Sequence, residues 1–166
     1  MRKMHGGVEI KKSLKIILLT ALSVTALDQL TKYIVMRSLN LNQVVETVPG
    51  LFDLVYFKNP GAAFGIFNDG GIWRTVFLIG TSVVSLVVIG ALLRQSKDTL
   101  MTFALSLIAG GAVGNLIDRV RFGAVVDFLY FHIGEYYWPA FNVADSAITV
   151  GVALAIASYY FAGRRS

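Results

Sequence analysis

Long uncharged runs constrain this chain more than any other feature of its sequence. No charge occurs in 19 residues from Thr75 to Leu93, in 19 from Thr99 to Ile117, or in 18 from Ser146 to Gly163. A hydrocarbon core of about 30 Å is crossed by about 20 helical residues. Because backbone polar groups cannot stay unpaired in lipid, each run predicts a membrane-spanning helix.

A fourth span is predicted over Leu14–Met36, although it contains Lys15, Asp28 and Lys32. The basic residues before it and the small residues 24–26 also resemble a cleavable signal peptide. The apolar character resumes after Asp28, so the segment is long enough to cross the membrane and a retained anchor is favoured.

Composition excludes several function classes. Hydrophobic residues make up 55% of the chain and charged residues 15%, whereas soluble domains contain about 25% charged residues. Cysteine is absent, which excludes disulfides, a thiolate nucleophile and Cys-ligated zinc. Only two histidines, His5 and His132, are available as metal ligands, and they are predicted to lie on opposite sides of the membrane. Neither a metal nor a cofactor is expected.

The net charge of +5 is a topology signal. If the N-terminus is inside, the inner segments hold nine of the 15 basic residues and two of the ten acidic ones. Positively charged segments favour the cytoplasm, so both termini are predicted inside and no nucleic-acid partner is expected. The chain is predicted to be a single integral membrane domain, 1–166, with spans at about 14–36, 73–93, 99–118 and 142–163, and outer segments at about 37–72 and 119–141.

The outer segments predict a small sheet on the membrane surface. Residues 44–48 and 51–57 are rich in β-branched and aromatic side chains and are separated by the turn pair Pro49-Gly50. Residues 122–133 have a similar composition. Four aromatic residues are expected in the interfacial belt: Trp73, Tyr136, Tyr137 and Trp138.

Polar residues that lipid should exclude converge on the outer membrane face. Asp28 and Lys32 are four residues apart on one helical face, which predicts an ion pair that is either structural or supports a site. Asn115 and Arg119 lie at the outer end of the third span, after a glycine-rich helix-packing surface that includes Gly111. Arg119 can pair with a carboxylate or a lipid phosphate, or extend to the interface.

Asp127 and Asp145 are the strongest candidates for chemistry. Asp127 is set in an apolar run, and Asp145 begins the fourth span, where Asn142 is a candidate N-cap. Structural roles alone are possible for each residue. Two carboxylates brought together share a proton, so one can deprotonate water while the other protonates a carbonyl oxygen. This pair predicts peptide hydrolysis at the membrane surface.

Three alternatives compete with a carboxylate pair. A serine mechanism would use Ser146, or a hydroxyl activated by Lys32, but no nucleophile-elbow pattern is present. A small proton- or ion-coupled transporter would also place charges within spans, yet no charge occurs between Thr75 and Leu93 in the second span or between Ser146 and Gly163 in the fourth. A lipid-binding scaffold would need no catalytic groups.

Five motifs, in order, resemble the lipoprotein signal peptidase family (signal peptidase II), aspartyl proteases of the bacterial inner membrane. The matching segments begin at Asp28 and end at Ser146: residues 28–32, 59–65 (Asn59-Pro60-Gly61-Ala62-Ala63-Phe64-Gly65), 110–119, 126–128 and 141–146.

The resemblance implies a fold, an activity and a set of site residues. The fold is a membrane all-α core of four transmembrane helices with both termini inside, and a small β-sheet, or cradle, with loops on the periplasmic face. The activity is removal of the signal peptide from diacylglyceryl-modified prolipoproteins before the lipidated cysteine. Catalysis is expected from Asp127 and Asp145. Substrate binding or support is expected from Asp28, Lys32, Asn59, Gly111, Asn115, Arg119 and Asn142. Membrane lipids and a globomycin-type inhibitor are expected partners, and the chain is expected to be a monomer.

Overall fold

Four long helices and four short strands make up the described part of the chain. A computed structural model describes residues 3–61 and 72–162, with side chains described for 14–61 and 72–161. The elements, in chain order, are α1 (Lys3–Ser38), β1 (Val44–Val48), β2 (Phe52–Asn59), α2 (Ile72–Gln95), α3 (Thr99–Phe122), β3 (Val125–Ile133), β4 (Tyr136–Tyr137) and α4 (Val143–Ala162). Residues 62–65 of the motif that starts at Asn59 lie outside the described residues.

All four helices are long and apolar enough to cross a membrane. The candidate spans are Leu14–Ser38, Ile72–Gln95, Thr99–Phe122 and Val143–Phe161. Each helix exposes large apolar side chains, such as Leu22 on α1 and Val87 on α2. An apolar exterior is what lipid requires of a spanning helix, so the four-helix membrane core is confirmed.

The third helix lies at the centre of the bundle and packs against the other three. Its close packing depends on glycines. A β-carbon at Gly110 would contact the backbone of Ala21 on α1, and one at Gly111 would contact the carbonyl oxygen of Ala144 on α4. Small residues at such positions let helix backbones approach closely, and the van der Waals packing that results contributes to helix association in membranes.

Gly111→Ala is expected to destabilise the protein by about 1–3 kcal/mol, because the added methyl group collides with backbone that cannot rotate away. Gly90→Ala on α2 is the matched control. A β-carbon there meets nothing within 4 Å, so stability should stay the same or rise slightly. Thermal unfolding of the two purified variants in detergent measures the difference. Equal melting temperatures would contradict the packing role of Gly111.

The strands form one antiparallel sheet in the order β1-β2-β3-β4. Val35 of α1 packs in a buried cluster with Tyr56 of β2 and with Val126 and Phe128 of β3, and this cluster attaches the sheet to the end of α1. The predicted sheet is therefore confirmed. One boundary differs from the sequence prediction, because α3 continues through Phe122 and ends at Gly123, whose φ of 67° forms a left-handed C-cap.

Candidate active site

The alternation of side chains along β3 determines which way Asp127 points. Its neighbours Val126 and Phe128 are buried in the cluster against α1, so the Asp127 side chain points to the opposite face of β3. The residues on either side of Asp127 are therefore apolar because they pack in the core. Although Asp127 is only 2% exposed, it is kept out of that apolar core.

The segment before α4 runs beside β3 and brings a second carboxylate to the same place. The backbone N–H of Phe141 donates to the carbonyl of Leu129 at 3.0 Å, and the N–H of Leu129 donates back at 2.9 Å. Asn142 follows directly. Its side-chain oxygen accepts from the backbone N–H of Asp145 at 2.9 Å, which confirms Asn142 as the N-cap of α4.

Three asparagine side chains hold the two carboxylates. Asp127 accepts from the amide of Asn142 at 2.8 Å and from that of Asn59 at 3.0 Å. Asp145 accepts from the amide of Asn115 at 2.7 Å. These amide donors restrict the rotamers of the two carboxylates. Among the described residues, no basic side chain is hydrogen-bonded to either acid. Both acids therefore keep proton-transfer capacity.

Asp127 and Asp145 line one small cavity of about 60 Å³. Its wall consists of Asn59, Gly61, Asn115, Arg119, Val125, Asp127 and Asp145. One water molecule occupies about 30 Å³ in the liquid, so the cavity has room for a water between polar partners. Five of the nine site residues expected from the sequence thus share a single cavity.

Burial raises the pKa of Asp127 from its ordinary 3.8 to about 7. The loss of solvation is the largest cause, and the negative charge of Asp145 adds to it. The amide hydrogen bonds from Asn59 and Asn142 act in the opposite direction because they stabilise the charged form. A carboxyl group with this pKa exchanges its proton near neutral pH, as a general acid or base must.

A buried ionic network supports the cavity from the helix side. The ammonium group of Lys32 lies 2.8 Å from Asp28 and 2.8 Å from Asp118, and all three side chains are at most 1% exposed. The same ammonium donates to the side-chain oxygen of Asn115 at 3.1 Å. The ion pair expected between Asp28 and Lys32 is confirmed, and Lys32 has no capacity left to activate a hydroxyl nucleophile.

The network also anchors the backbone on which the two acids stand. Asp28 accepts from the backbone N–H of Ala144 at 2.9 Å, next to Asp145. Asp118 accepts from the backbone N–H of Val126 at 3.1 Å, next to Asp127. Each carboxylate of the network therefore positions one carboxylate of the cavity.

Two network residues were missed as site residues by sequence reasoning. Asp118 ends an uncharged run and could have been found as the second partner that a buried lysine needs. Gln29 donates to Asp118 at 3.0 Å and to the carbonyl of Gly114 at 3.1 Å. A glutamine inside a span gives a weaker signal, because its amide can be satisfied in many ways.

The other sequence candidates occupy different environments. Ser146 donates to the carbonyl of Asn142 at 2.9 Å, as helical serines commonly do, and does not line the cavity. His132 stacks on Tyr137 with ring centroids 4.7 Å apart and lies 3.4 Å from Asp53, away from the cavity. The described residues contain no group of three His, Asp or Glu side chains that could hold a metal ion.

Comparison with known proteins identifies the family. The family model described as "Signal peptidase (SPase) II" matches residues 20–161. The chain is 50% identical over 153 residues to the lipoprotein signal peptidase of Syntrophotalea carbinolica, covering 91% of this chain and 94% of that protein. It is 47% identical over 148 residues to the lipoprotein signal peptidase of Azoarcus sp., covering 89% and 84%.

The fold matches solved structures as well. A bacterial membrane enzyme solved by the in meso method at 1.9 Å superposes with a TM-score of 0.77 at 34% identity, over 86% of this chain and 91% of that chain. A second such structure, at 2.3 Å, gives a TM-score of 0.75 at 34% identity, over 87% of both chains. This chain therefore belongs to the signal peptidase II family of aspartyl lipoprotein signal peptidases, multi-pass enzymes of the bacterial inner membrane.

Proposed function

We propose that this chain cleaves diacylglyceryl-modified prolipoproteins just before the lipidated cysteine, using Asp127 and Asp145 as a general acid–base pair. The observation that carries this proposal is the cavity of about 60 Å³ that both carboxylates line, where amides rather than cations hold them. The supporting roles of Asp28, Lys32 and Gly111 are part of the same proposal, since they maintain the position of the two acids.

The proposed chemistry needs one proton on the pair. The ionised carboxylate takes a proton from water as the water oxygen attacks the scissile carbonyl carbon, while the protonated carboxyl gives its proton to the carbonyl oxygen. The tetrahedral intermediate then collapses. The C–N bond breaks, and one acid protonates the leaving amine as the other recovers a proton from the intermediate. The pair returns to its starting state without a covalent intermediate.

The substrate and the orientation of the chain fit the membrane geometry. A signal peptide is an apolar helix that spans the bilayer, and its diacylglyceryl group keeps the scissile bond near the interface. The concentration of basic residues in the proposed inner segments supports a cytoplasmic location for both termini, with the cavity facing the periplasm. A monomer suffices in this proposal, because one chain supplies both acids.

Matched substrates test the proposed specificity. The purified protein, in vesicles, is given a prolipoprotein peptide whose cysteine carries diacylglyceryl and the same peptide with an unmodified cysteine. Cleavage of the lipidated peptide alone, before the cysteine, supports the proposal. Equal cleavage of both peptides would contradict it. Proton or ion flux across the vesicles that survives loss of both acids would favour the transporter alternative.

Activity is expected to fall as the pH rises through about 7, because the pair then loses the proton that the mechanism requires. Asn59→Ala removes an N–H donor that stabilises ionised Asp127, so the pKa of Asp127 rises further and the alkaline limb moves to higher pH. The pH profile of kcat measures the shift. Asn40→Ala, at an exposed residue that contacts Gln43, is the control. An unmoved limb, or a shift to lower pH, would contradict this assignment.

A further inference from the structure

Ser82 is a buried hydroxyl in an apolar span that the proposed mechanism does not use. It lies within α2 and is 8% exposed. Its hydroxyl donates to the carbonyl of Leu78, one turn earlier, at 2.7 Å. A hydroxyl has a single proton, so this donation leaves the Ser82 oxygen as an acceptor only.

The acceptor is used by an arginine of the neighbouring helix. Nη1 of Arg119 donates to the Ser82 oxygen at 3.2 Å. Arg119 also lines the cavity that contains Asp127 and Asp145. Its Nε is buried and has no hydrogen-bond partner among the described residues. Because a guanidinium group is a rigid planar fork, fixing one nitrogen sets the direction of the other N–H groups.

We infer that Ser82 is a positioning residue that orients the Arg119 guanidinium so that its remaining N–H donors meet a carbonyl oxygen of the bound peptide. This inference rests on the proposed function and adds α2 to the elements that build the site. A donor held in place before the reaction stabilises negative charge as it develops on that oxygen. Loss of the orientation therefore affects the chemical step more than substrate binding.

Two other serines in the bundle serve as controls, because they distinguish the proposed contact with Arg119 from the local hydrogen bond that helical serines commonly make. Ser85, on the same helix, donates to the carbonyl of Thr81 at 2.8 Å and is exposed. Ser106, on α3, is fully buried and donates to the carbonyl of Thr102 at 2.6 Å. Both make the same local bond as Ser82 without the arginine contact, so Ser85 is a control for position on the same helix and Ser106 is a control for burial.

Steady-state cleavage of the lipidated peptide tests the inference. Ser82→Ala is expected to lower kcat about tenfold, the rate equivalent of one hydrogen bond of ordinary strength, with KM nearly unchanged. Ser82→Thr should restore most of the rate, because a helical threonine can also bond the carbonyl four residues earlier. Ser85→Ala and Ser106→Ala should retain the wild-type kcat.

A double-mutant cycle identifies the partner. In an Arg119→Ala background, Ser82→Ala is expected to cause no further loss of kcat, because the group it positions is already gone. Additive losses would overturn the inference. A wild-type kcat in Ser82→Ala would overturn it too, even if the melting temperature fell as in Ser106→Ala. Absence of cleavage by the wild-type protein would overturn the proposed function and this inference together.

Discussion

Replacing Asp127 or Asp145 by asparagine is expected to lower the cleavage rate at least about 10³-fold, because an amide can neither accept the proton of water nor donate one to the carbonyl oxygen. The change preserves side-chain size. With its amide oxygen facing Asn142, the asparagine at position 127 keeps the hydrogen bond from that residue and loses only the one from Asn59. The asparagine at position 145 can still accept from Asn115. The variants should therefore insert and fold, and single-turnover cleavage measures the loss.

Asp53→Asn is the matched control for both variants. Asp53 is 6% exposed and lies on β2 near His132, so it is another buried acid of the same sheet that does not line the cavity. Its loss should leave cleavage within a few-fold of the wild type after correction for folded protein. A full rate in either cavity variant, or an equal loss in Asp53→Asn, would contradict the acid–base assignment.

Lys32→Met is expected to cost about 3–5 kcal/mol of stability, the largest stability effect anticipated for a single substitution. The change leaves the carboxylates of Asp28 and Asp118 buried together without their counter-charge. Without Lys32, the carboxylates of Asp28 and Asp118 can move, although they hold the backbone N–H groups of Ala144 and Val126. Activity should therefore fall together with stability. Because typical net stabilities are about 5–15 kcal/mol, little folded protein should be recovered.

Chemical unfolding in detergent measures this effect, with Lys97→Met, at an exposed position between α2 and α3, as the control. If the cause is uncompensated charge, adding Asp28→Asn and Asp118→Asn to Lys32→Met should recover part of the stability. A triple variant less stable than Lys32→Met alone would contradict this explanation. So would a Lys32→Met variant as stable as the control.

The architecture was predictable because the bilayer imposes simple rules on sequence. Uncharged runs of 18 or 19 residues predict three of the spans, and the turn pair Pro49-Gly50 predicts where the first two strands separate. The end of α3 was harder to predict from the sequence. An apolar aromatic residue such as Phe122 suits either a helix or a strand, and only the left-handed Gly123 determines where the helix ends.

The site was partly predictable for a related reason. Charged residues within a span require partners, which made Asp28 and Lys32 visible as a pair. The antiparallel pairing of Phe141 with Leu129, which sets Asn142 beside Asp127, depends on long-range register. Local sequence carries no such information. Ser82 was not detected because a serine in a span usually bonds its own helix, and its contact with Arg119 exists only after the helices pack.

Mass analysis of both cleavage products tests whether Asp127 and Asp145 carry out the proposed cleavage before the lipidated cysteine. Purified full-length protein in vesicles is given a diacylglyceryl-prolipoprotein peptide, alongside a variant carrying both Asp127→Asn and Asp145→Asn and a sample treated with a globomycin-type inhibitor. We expect that the wild type alone releases a signal peptide with a free carboxylate and a fragment beginning at the lipidated cysteine. The same two products from the double variant, or an intact peptide after incubation with the wild type, would contradict it.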